Sequence, residues 1–247
     1  MIPGMMAGAI RRRNSGDLLL PETDPYFANV IAGLHFDGVN NGTSFPDVTG
    51  LVWTREGSVI TSTAQSKFGG ASGYFGAFTD QWGLVNSSSI SAFGTGDFTI
   101  EAFVFVPSGS TDTSVISSNA NTTAGTSSGW AFYSRHAGFS YVARFFDASS
   151  GGVSVNGSTE VTVNTWHHLA VTRQSGTIRI WLDGVLDGEG ANTSNFSDYT
   201  YHRVGSPRGD SPLLQNTEGY LEDYRETKGV ARWSSGFTPR TTAFPDS

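Results

Sequence analysis

The acidic side chains of this 247-residue chain have a spacing that does not suit acid–base catalysis. Hydrolysis of a glycosidic bond needs two carboxylates about 5–10 Å apart across one sugar site. Glu222 and Asp223 are adjacent, so in a strand they would point to opposite faces of the sheet. Asp183 and Asp187 are separated by turn residues, and Glu101 stands alone in its strand. The spacing therefore predicts a protein that is not an enzyme.

Two adjacent histidines, His167 and His168, could suggest a zinc site. Neighbouring side chains of a strand point to opposite faces, so these two imidazoles cannot bind one ion together. We therefore expect both to be structural. The chain also has no cysteine, which excludes a thiolate metal site and a disulfide framework.

Short apolar runs separated by turn signals recur from residue 30 onward. In the clearest run, residues 98–106, alternate positions are apolar, and Phe103 and Phe105 stand on the opposite side. Both faces of this strand should therefore be covered, as in a sandwich. Residues 166–173 and 177–185 are typical of a hairpin. With no amphipathic helix pattern, the sequence predicts an all-β fold, an antiparallel β-sandwich or jelly roll.

The composition narrows the class of partner. A net charge of -7 and a pI near 5.1 argue against nucleic-acid binding, which needs a basic surface. Charged residues make up only 15%, and polarity comes from Ser, Thr, Asn and 31 glycines, which suits a turn-rich β protein. No stretch approaches 18 consecutive apolar residues, so no membrane span is predicted.

Residues 1–29 lack β periodicity and are predicted to form an extended N-terminal arm, followed by one domain over residues 30–247. The mildly apolar start precedes the basic triplet Arg11, Arg12 and Arg13, the reverse of the order in a secretory signal, so no signal peptide is expected. The arm is either a disordered tail or an anchor that orders against a partner. As an anchor, its three arginines would meet acidic groups of that partner.

Several motifs in order resemble one known family, the laminin-G-like (concanavalin A-like) jelly-roll domains of bacterial surface proteins and tailed-phage virion proteins. The resemblance covers roughly residues 30–245, and the segment at 228–239 is the one most typical of phage-borne members. The chain departs from the family pattern at Gly76-Ala77, where Asp-Gly is usual, and at Phe103, where a Trp is frequent. The matching segments are Leu34-His-Phe-Asp-Gly, Asp97-Phe-Thr-Ile-Glu, Trp166-His-His-Leu-Ala-Val-Thr-Arg, Gly219-Tyr-Leu-Glu-Asp-Tyr-Arg and Lys228-Gly-Val-Ala-Arg-Trp.

The resemblance implies a candidate Ca²⁺ site at the rim of the sandwich, since such domains often bind one calcium ion through oxygen ligands. Asp37 and Asp47 flank the first loop, and Asp223 lies in the last strand, which the family places beside the first. The alternative is structural: Asp37 supports a turn, and Asp223 pairs with Arg225 or with an arginine across the sheet.

Sugar sites use aromatic faces and planar polar side chains, and Trp82 is the aromatic residue that we most expect to be exposed in a loop. Tyr199 and Tyr201, beside a Ser-, Asn- and Asp-rich loop, are the next candidates. The tryptophans expected to be core residues are Trp130, Trp166 and Trp181, together with Phe132.

The resemblance implies a non-enzymatic structural or display protein of a tailed-phage virion, made in the host cytoplasm. The arm would contact other virion proteins, and the jelly roll would bind host-surface polysaccharide through many copies in a symmetric homo-oligomer. One alternative is an architectural cement protein that joins virion subunits. Another is a glycoside-active enzyme, which two carboxylates facing one cleft would favour.

Overall fold

The computed structural model describes residues 23–76, 81–87, 90–110, 114–120, 129–136, 140–148, 153–196, 201–206 and 218–247. These residues form fifteen strands and one short 3₁₀ helix, Phe27–Asn29. The strands are β1 Val30–Leu34, β2 Thr54–Gly57, β3 Ile60–Ser62, β4 Ser72–Phe75, β5 Gln81–Asn86, β6 Phe98–Phe105, β7 Ser114–Ala120, β8 Gly129–His136, β9 Val142–Asp147, β10 Val153–Glu160, β11 Trp166–Gln174, β12 Thr177–Leu182, β13 Val185–Ala191, β14 Tyr201–Val204 and β15 Gly219–Lys228.

Two antiparallel sheets lie face to face. The first has the order β13-β12-β11-β6-β15-β4-β3, with β1 also paired to β15, and the second has the order β10-β9-β8-β7-β14-β5-β2. Neighbouring strands are often distant in sequence, as in a jelly roll, where the chain crosses repeatedly between sheets. The predicted all-β sandwich is therefore confirmed. Within the described residues, no helix is long and apolar enough to cross a membrane.

The core between the sheets is rich in aromatic rings. Phe98 of β6 stacks on Phe93 with ring centroids 4.3 Å apart, and Trp130 and Phe145 stack at 5.9 Å. Trp130 and Phe132 lie in this core, as predicted. Trp166 is only half-buried.

The outer face of the first sheet is also buried, because the chain folds back over it. Thr99, Glu101 and Phe103 of β6 point away from the core, yet each is at most 2% exposed. The cover is residues 229–247, which we call the C-terminal segment. Trp181, predicted to be a core residue, is buried on this outer face, with its ring centroid 5.8 Å from that of Phe237.

A β-bulge in β15 decides which side chains reach the outer face. The register against β6 shifts between Glu222 and Arg225, and Asp223 has a φ of 51°. The shift places Arg225 directly opposite Glu101. The extra residue therefore turns a guanidinium toward a carboxylate that stands alone in its own strand.

The same bulge overturns one sequence expectation. Glu222 accepts the backbone N–H of Phe68, and Asp223 accepts that of Phe244. The rings of Phe68 and Phe244 both contact the ring of Phe103, at 4.9 and 6.0 Å between centroids. Glu222 and Asp223 therefore lie on the same side of the sheet, and the prediction that they face opposite sides is wrong because strict alternation ends at a bulge.

Candidate binding cleft

A cleft of about 180 Å³ lies between the outer face of the first sheet and the C-terminal segment. Its floor comes from three adjacent strands, which contribute Glu101 of β6, His168 of β11 and Arg225 of β15. β6 pairs with both β11 and β15, so these side chains lie on adjacent strands. Arg225 is directly opposite Glu101, and His168, which is opposite Phe103, is diagonal to Glu101. The walls and mouth come from Thr23, Asp24, Pro25, Arg232, Trp233, Phe237, Thr238, Pro239, Arg240, Phe244 and Pro245.

Two arginines and two carboxylates form a network in the cleft. Arg225 donates Nε to Glu101 Oε1 at 2.8 Å and Nη1 to Asp24 Oδ2 at 2.8 Å, and its Nη2 lies 2.7 Å from Glu101 Oε1 in an ion pair. Arg232 donates Nη1 and Nη2 to the two oxygens of Asp24, at 2.9 and 2.7 Å. Asp24 thus joins β15 to the C-terminal segment.

The network keeps Glu101 ionised although it is buried. Burial raises the pKa of this carboxyl, but the charge of Arg225 and the hydrogen bond from His168 outweigh burial and lower the pKa to about 2. The pKa of Asp24 is also lowered: burial acts to raise it, and the hydrogen bond from Arg232 is the main opposing cause. Both groups are carboxylates at neutral pH.

His168 connects the charged floor to the aromatic wall. Its Nε2 donates to Glu101 Oε2 at 3.1 Å, and its Nδ1 has no hydrogen-bond partner among the described residues. The ring meets those of Trp233 and Phe237 edge-on, at 5.8 and 5.6 Å between centroids. Trp233 and Phe237 stack on each other at 3.8 Å with an 8° angle between their planes.

A histidine clasp closes the far end of the C-terminal segment. His35 Nδ1 lies 2.5 Å from Asp223 Oδ1, and its Nε2 lies 2.6 Å from Asp246 Oδ1. The hydrogen bond to Asp223 is the largest cause that raises the His35 pKa to about 9, against an opposing effect of burial. Asp223 also accepts the N–H of Phe244 at 2.6 Å, so the imidazolium fixes Phe244 beside the cleft.

The carboxylates of the cleft are poorly suited to catalysis. A general acid must carry a proton near neutral pH, and Asp24 and Glu101 are held ionised by arginines. Burial raises the pKa of Glu222 to about 7, but this carboxyl is 2% exposed and accepts the N–H groups of Lys67 and Phe68. The cleft therefore offers fixed hydrogen-bond donors, acceptors and aromatic rings, which are the means of binding a ligand.

A second polar cluster lies between the sheets. Ser91 Oγ is 2.7 Å from His202 Nδ1 and donates to Glu226 Oε2 at 2.6 Å, while the Tyr224 hydroxyl donates to Glu226 Oε1. Burial lowers the pKa of His202 to about 3 and raises that of Glu226 to about 7. All four residues are at most 1% exposed, so this cluster has no access for a substrate and joins the two sheets instead.

The structure does not bring the three predicted calcium ligands into one group. Asp47 accepts the N–H groups of Gly33 and Thr49, at 3.0 and 2.7 Å, and Trp53 Nε1 at 2.9 Å. Asp223 is bonded to the His35 imidazole, not to an arginine, and Asp37 is exposed. Among the described residues, no group of three or more His, Cys, Asp or Glu side chains could hold a metal ion. Calcium binding stays a prediction.

Most of the predicted ligand and partner residues lie outside the described part. Arg11, Arg12, Arg13 and Tyr199 are not among the described residues, and neither is the side chain of Trp82. Tyr201 is half-buried in β14, with the Arg203 guanidinium 5.2 Å from its ring centroid. Val204 pairs with Leu84, which places Tyr201 and Trp82 at opposite ends of the β5–β14 pair.

Sequence reasoning missed the cleft itself. Asp24 falls in the predicted arm, yet it is bonded to Arg225 and Arg232 of the sandwich. Two signals pointed to the site: Glu101 is a lone charge in an apolar strand, and Arg232 and Trp233 lie in the family-like motif. Neither signal shows that distant residues meet. The boundary at residue 29 stays a prediction.

The fold is a jelly roll of the lectin type, with a cleft on the outer face of its first sheet. The family model described as the concanavalin A-like lectin/glucanases superfamily matches residues 79–226. The chain belongs to this family. Comparison with curated protein sequences found no match.

Solved structures with the same fold come from diverse proteins. Domain 4 of AbnA, a GH43 extracellular arabinanase from Geobacillus stearothermophilus solved with arabinotriose, is 16% identical with a TM-score of 0.56, covering 81% of this chain and 93% of that one. Botulinum neurotoxin type C, whose cell entry depends on two ganglioside molecules, is 14% identical with a TM-score of 0.57, covering 83% and 49%. A Trypanosoma rangeli sialidase mutant with trans-sialidase activity is 12% identical with a TM-score of 0.55, covering 81% and 31%.

The chain thus spans about half of the neurotoxin chain and about a third of the sialidase chain. At these identities the likeness shows the fold alone.

Proposed function

We propose that this chain is a non-enzymatic carbohydrate-binding protein and that the cleft is its binding site. The observation that carries the proposal is the combination of stacked Trp233 and Phe237 rings with guanidinium, carboxylate and imidazole groups around one cleft. Sugars are bound by such aromatic faces and planar polar groups. Family membership supports the proposal, as do structural neighbours that are complexed with arabinotriose or interact with gangliosides.

The proposal of binding without catalysis rests on the charge state of the cleft. Hydrolysis of a glycoside needs a proton donor beside the scissile bond. Asp24 and Glu101 have lowered pKa values and oxygens occupied by arginine N–H groups, so neither supplies that proton.

The biological setting that we propose is the virion of a tailed phage. The support is the motif at Lys228-Gly-Val-Ala-Arg-Trp, whose arginine and tryptophan line the cleft. In this setting residues 1–29, with their three arginines, anchor the protein to other virion proteins, and many copies raise the strength of weak glycan binding.

An oligosaccharide array probed with the fluorescently labelled, multivalently displayed chain tests the binding function. We expect a subset of oligosaccharides to be bound and to remain uncleaved after prolonged incubation, as judged by mass spectrometry. The heat-unfolded chain is the control for non-specific adsorption. If no oligosaccharide is bound, the carbohydrate proposal fails, and if the bound sugar is cleaved, the non-enzymatic part fails.

Cryo-electron microscopy of the intact particle tests the setting. We expect residues 1–29 to lie against another virion protein and the sandwich to project outward. A sandwich wedged between capsid or tail subunits would instead support an architectural cement protein. Absence of the chain from the particle would contradict both.

A further inference from the structure

We infer that the cleft binds one carboxylate-bearing sugar unit of a glycan, such as a uronic or sialic acid. This inference rests on the proposed function and deepens it, because it assigns a chemical class of ligand to the same site. Four observations carry it: the size of the cleft, the charges that line it, the remaining N–H donors of Arg225 and Arg232, and its aromatic wall.

The size of the cleft suits a single sugar ring. Its volume is about 180 Å³. Pockets that hold drug-sized ligands measure about 300–1,000 Å³, so the cleft suits a smaller group such as one sugar ring. A longer glycan would place one terminal or branching unit inside. Thr23, Pro25 and Thr238 at the cleft are exposed, which leaves space outside for the rest of the glycan.

The charges around the cleft favour an anion. Three guanidinium groups line it, those of Arg225, Arg232 and Arg240, against the two carboxylates of Asp24 and Glu101. The lining therefore carries one excess positive charge in a chain whose net charge is -7. In a partly buried cleft such an excess attracts an anion more strongly than it would on the surface.

Arg225 and Arg232 have more N–H donors than the contacts of the network use. A guanidinium has five N–H donors. Each of the three Arg225 nitrogens contacts Glu101 or Asp24 through one hydrogen bond or ion pair. Arg232 likewise donates from all three nitrogens, with Nε bonded to Thr227. Each of these two guanidinium groups therefore has N–H bonds with no partner among the described residues, and planar donors held in a fixed position suit a carboxylate.

The aromatic wall suits the ring of the sugar rather than its carboxylate. Trp233 and Phe237 are half-buried, line the cleft and stack on each other, so they form one rigid apolar surface. The C–H face of a pyranose packs on such a surface at little entropic cost. A small inorganic anion would use the arginines but leave this wall uncovered.

The test compares acidic oligosaccharides with their carboxyl-reduced forms. Oligosaccharides ending in glucuronic acid or N-acetylneuraminic acid are titrated into the full chain by calorimetry, each beside the same compound with the carboxylate reduced to an alcohol. We expect at least one acidic form to bind about tenfold more tightly than its reduced form, since a hydrogen bond between charged groups contributes about that factor. Binding should weaken as salt is raised.

Substitution assigns the preference to the cleft. Arg240→Gln lowers the positive charge of the lining by one and should weaken the acidic preference severalfold, while Arg55→Gln, which makes the same charge change on β2 of the other sheet, should leave it intact. Thermal melting verifies that both variants are folded. If Arg240→Gln alone is unstable, Arg240→Lys, which keeps the charge but not the planar donors, replaces it and should lower the preference in part.

The outcomes separate this inference from the proposed function. Equal binding of acidic and reduced forms, binding of neutral glycans alone, or an acidic preference that Arg240→Gln leaves unchanged would overturn the inference and leave carbohydrate binding standing. Binding of no saccharide, acidic or neutral, in titration or on the array would overturn both.

Discussion

Glu101 illustrates how one buried carboxylate organises the outer face of a sheet. Its two oxygens accept from Arg225 and His168, and the same arginine reaches Asp24. Removing one partner of a buried ion pair is more damaging than replacing the whole pair, because the remaining charge loses its counter-ion without regaining water. Stability should therefore respond sharply to this single side chain.

Replacing Glu101 by Gln should lower the free energy of unfolding by about 3 kcal/mol, because the Arg225 guanidinium would stay buried with less counter-charge. Urea unfolding followed by tryptophan fluorescence measures the change. Glu189→Gln is the matched control: Glu189 faces Arg179 at 3.4 Å but is 55% exposed, and such surface pairs contribute about 0–1 kcal/mol. Equal losses in the two variants would contradict the role assigned to the network.

The clasp at His35 predicts a loss of stability in alkali. Its pKa is raised to about 9 from 6.5, so its contribution is fully present below pH 6.5 and is lost as pH rises through 9. His35→Gln should therefore cost stability at pH 6.5 and much less at pH 9.5. The melting temperatures of the unsubstituted protein and of His35→Gln are measured across this pH range. Their difference isolates the effect of His35, because every other titrating group is present in both proteins. A constant difference would show that the imidazolium charge is unimportant.

At the scale of elements, the hairpin of β12 and β13 supports the C-terminal segment. The turn residue Gly184 accepts the N–H of Phe237 at 3.0 Å. Gly184 has a φ of 80°, and a Cβ there would lie 1.9 Å from the carbonyl oxygen of Phe237. The hairpin and the segment can approach this closely only because the turn has no side chain.

Gly184→Ala should therefore destabilise the protein for two reasons: alanine is strained at a φ of 80°, and its methyl group collides with the Phe237 carbonyl oxygen. Gly50→Ala is the control, since Gly50 has a φ of 82° and nothing within 4 Å of the added Cβ. We expect a loss of about 1 kcal/mol for Gly50→Ala from the left-handed conformation. The loss for Gly184→Ala should be about 2 kcal/mol larger, because the methyl group displaces the segment. Similar losses in urea unfolding would show that the segment moves aside freely.

The elements themselves were largely predictable from the sequence, whereas the cleft was not. Alternation in residues 98–106 indicated a strand with both faces covered, and Phe98 and Phe103 are indeed buried on opposite faces. Alternation could not predict the bulge at Asp223, because a bulge depends on how two strands pair. Nor could it predict that Asp24 meets Arg225, 201 residues away, since that contact requires the whole sandwich to form.

At the scale of the whole molecule, the cluster of Ser91, His202, Tyr224 and Glu226 joins the two sheets through a buried polar network. His202 belongs to β14 of one sheet and Glu226 to β15 of the other. Polar groups buried in this way fix the register of two sheets because a shifted arrangement would leave them unsatisfied.

Glu226 adds a second pH dependence of stability, with the same sign as that of His35. Its pKa is raised to about 7 by burial, so its stabilising contribution is present below pH 4.5 and is lost as pH rises through 7. Glu226→Gln should therefore gain about 2 kcal/mol relative to the unsubstituted protein between pH 5 and pH 8. Urea unfolding at both pH values measures the gain. If Glu226→Gln instead gained stability relative to the unsubstituted protein as pH falls, Glu226 would not be buried as a protonated carboxyl.

The two ends of the described domain are bonded to each other, since the N–H of Asp24 donates to the carbonyl oxygen of Ser247 at 2.7 Å. A domain whose ends meet can be inserted into a surface turn of another protein without stretching either connection. The two ends meet beside the cleft, because Thr23 and Pro25 line it. A polypeptide joined to residue 23 would therefore begin at the mouth of the proposed binding cleft, on the side of the molecule where the proposed ligand binds.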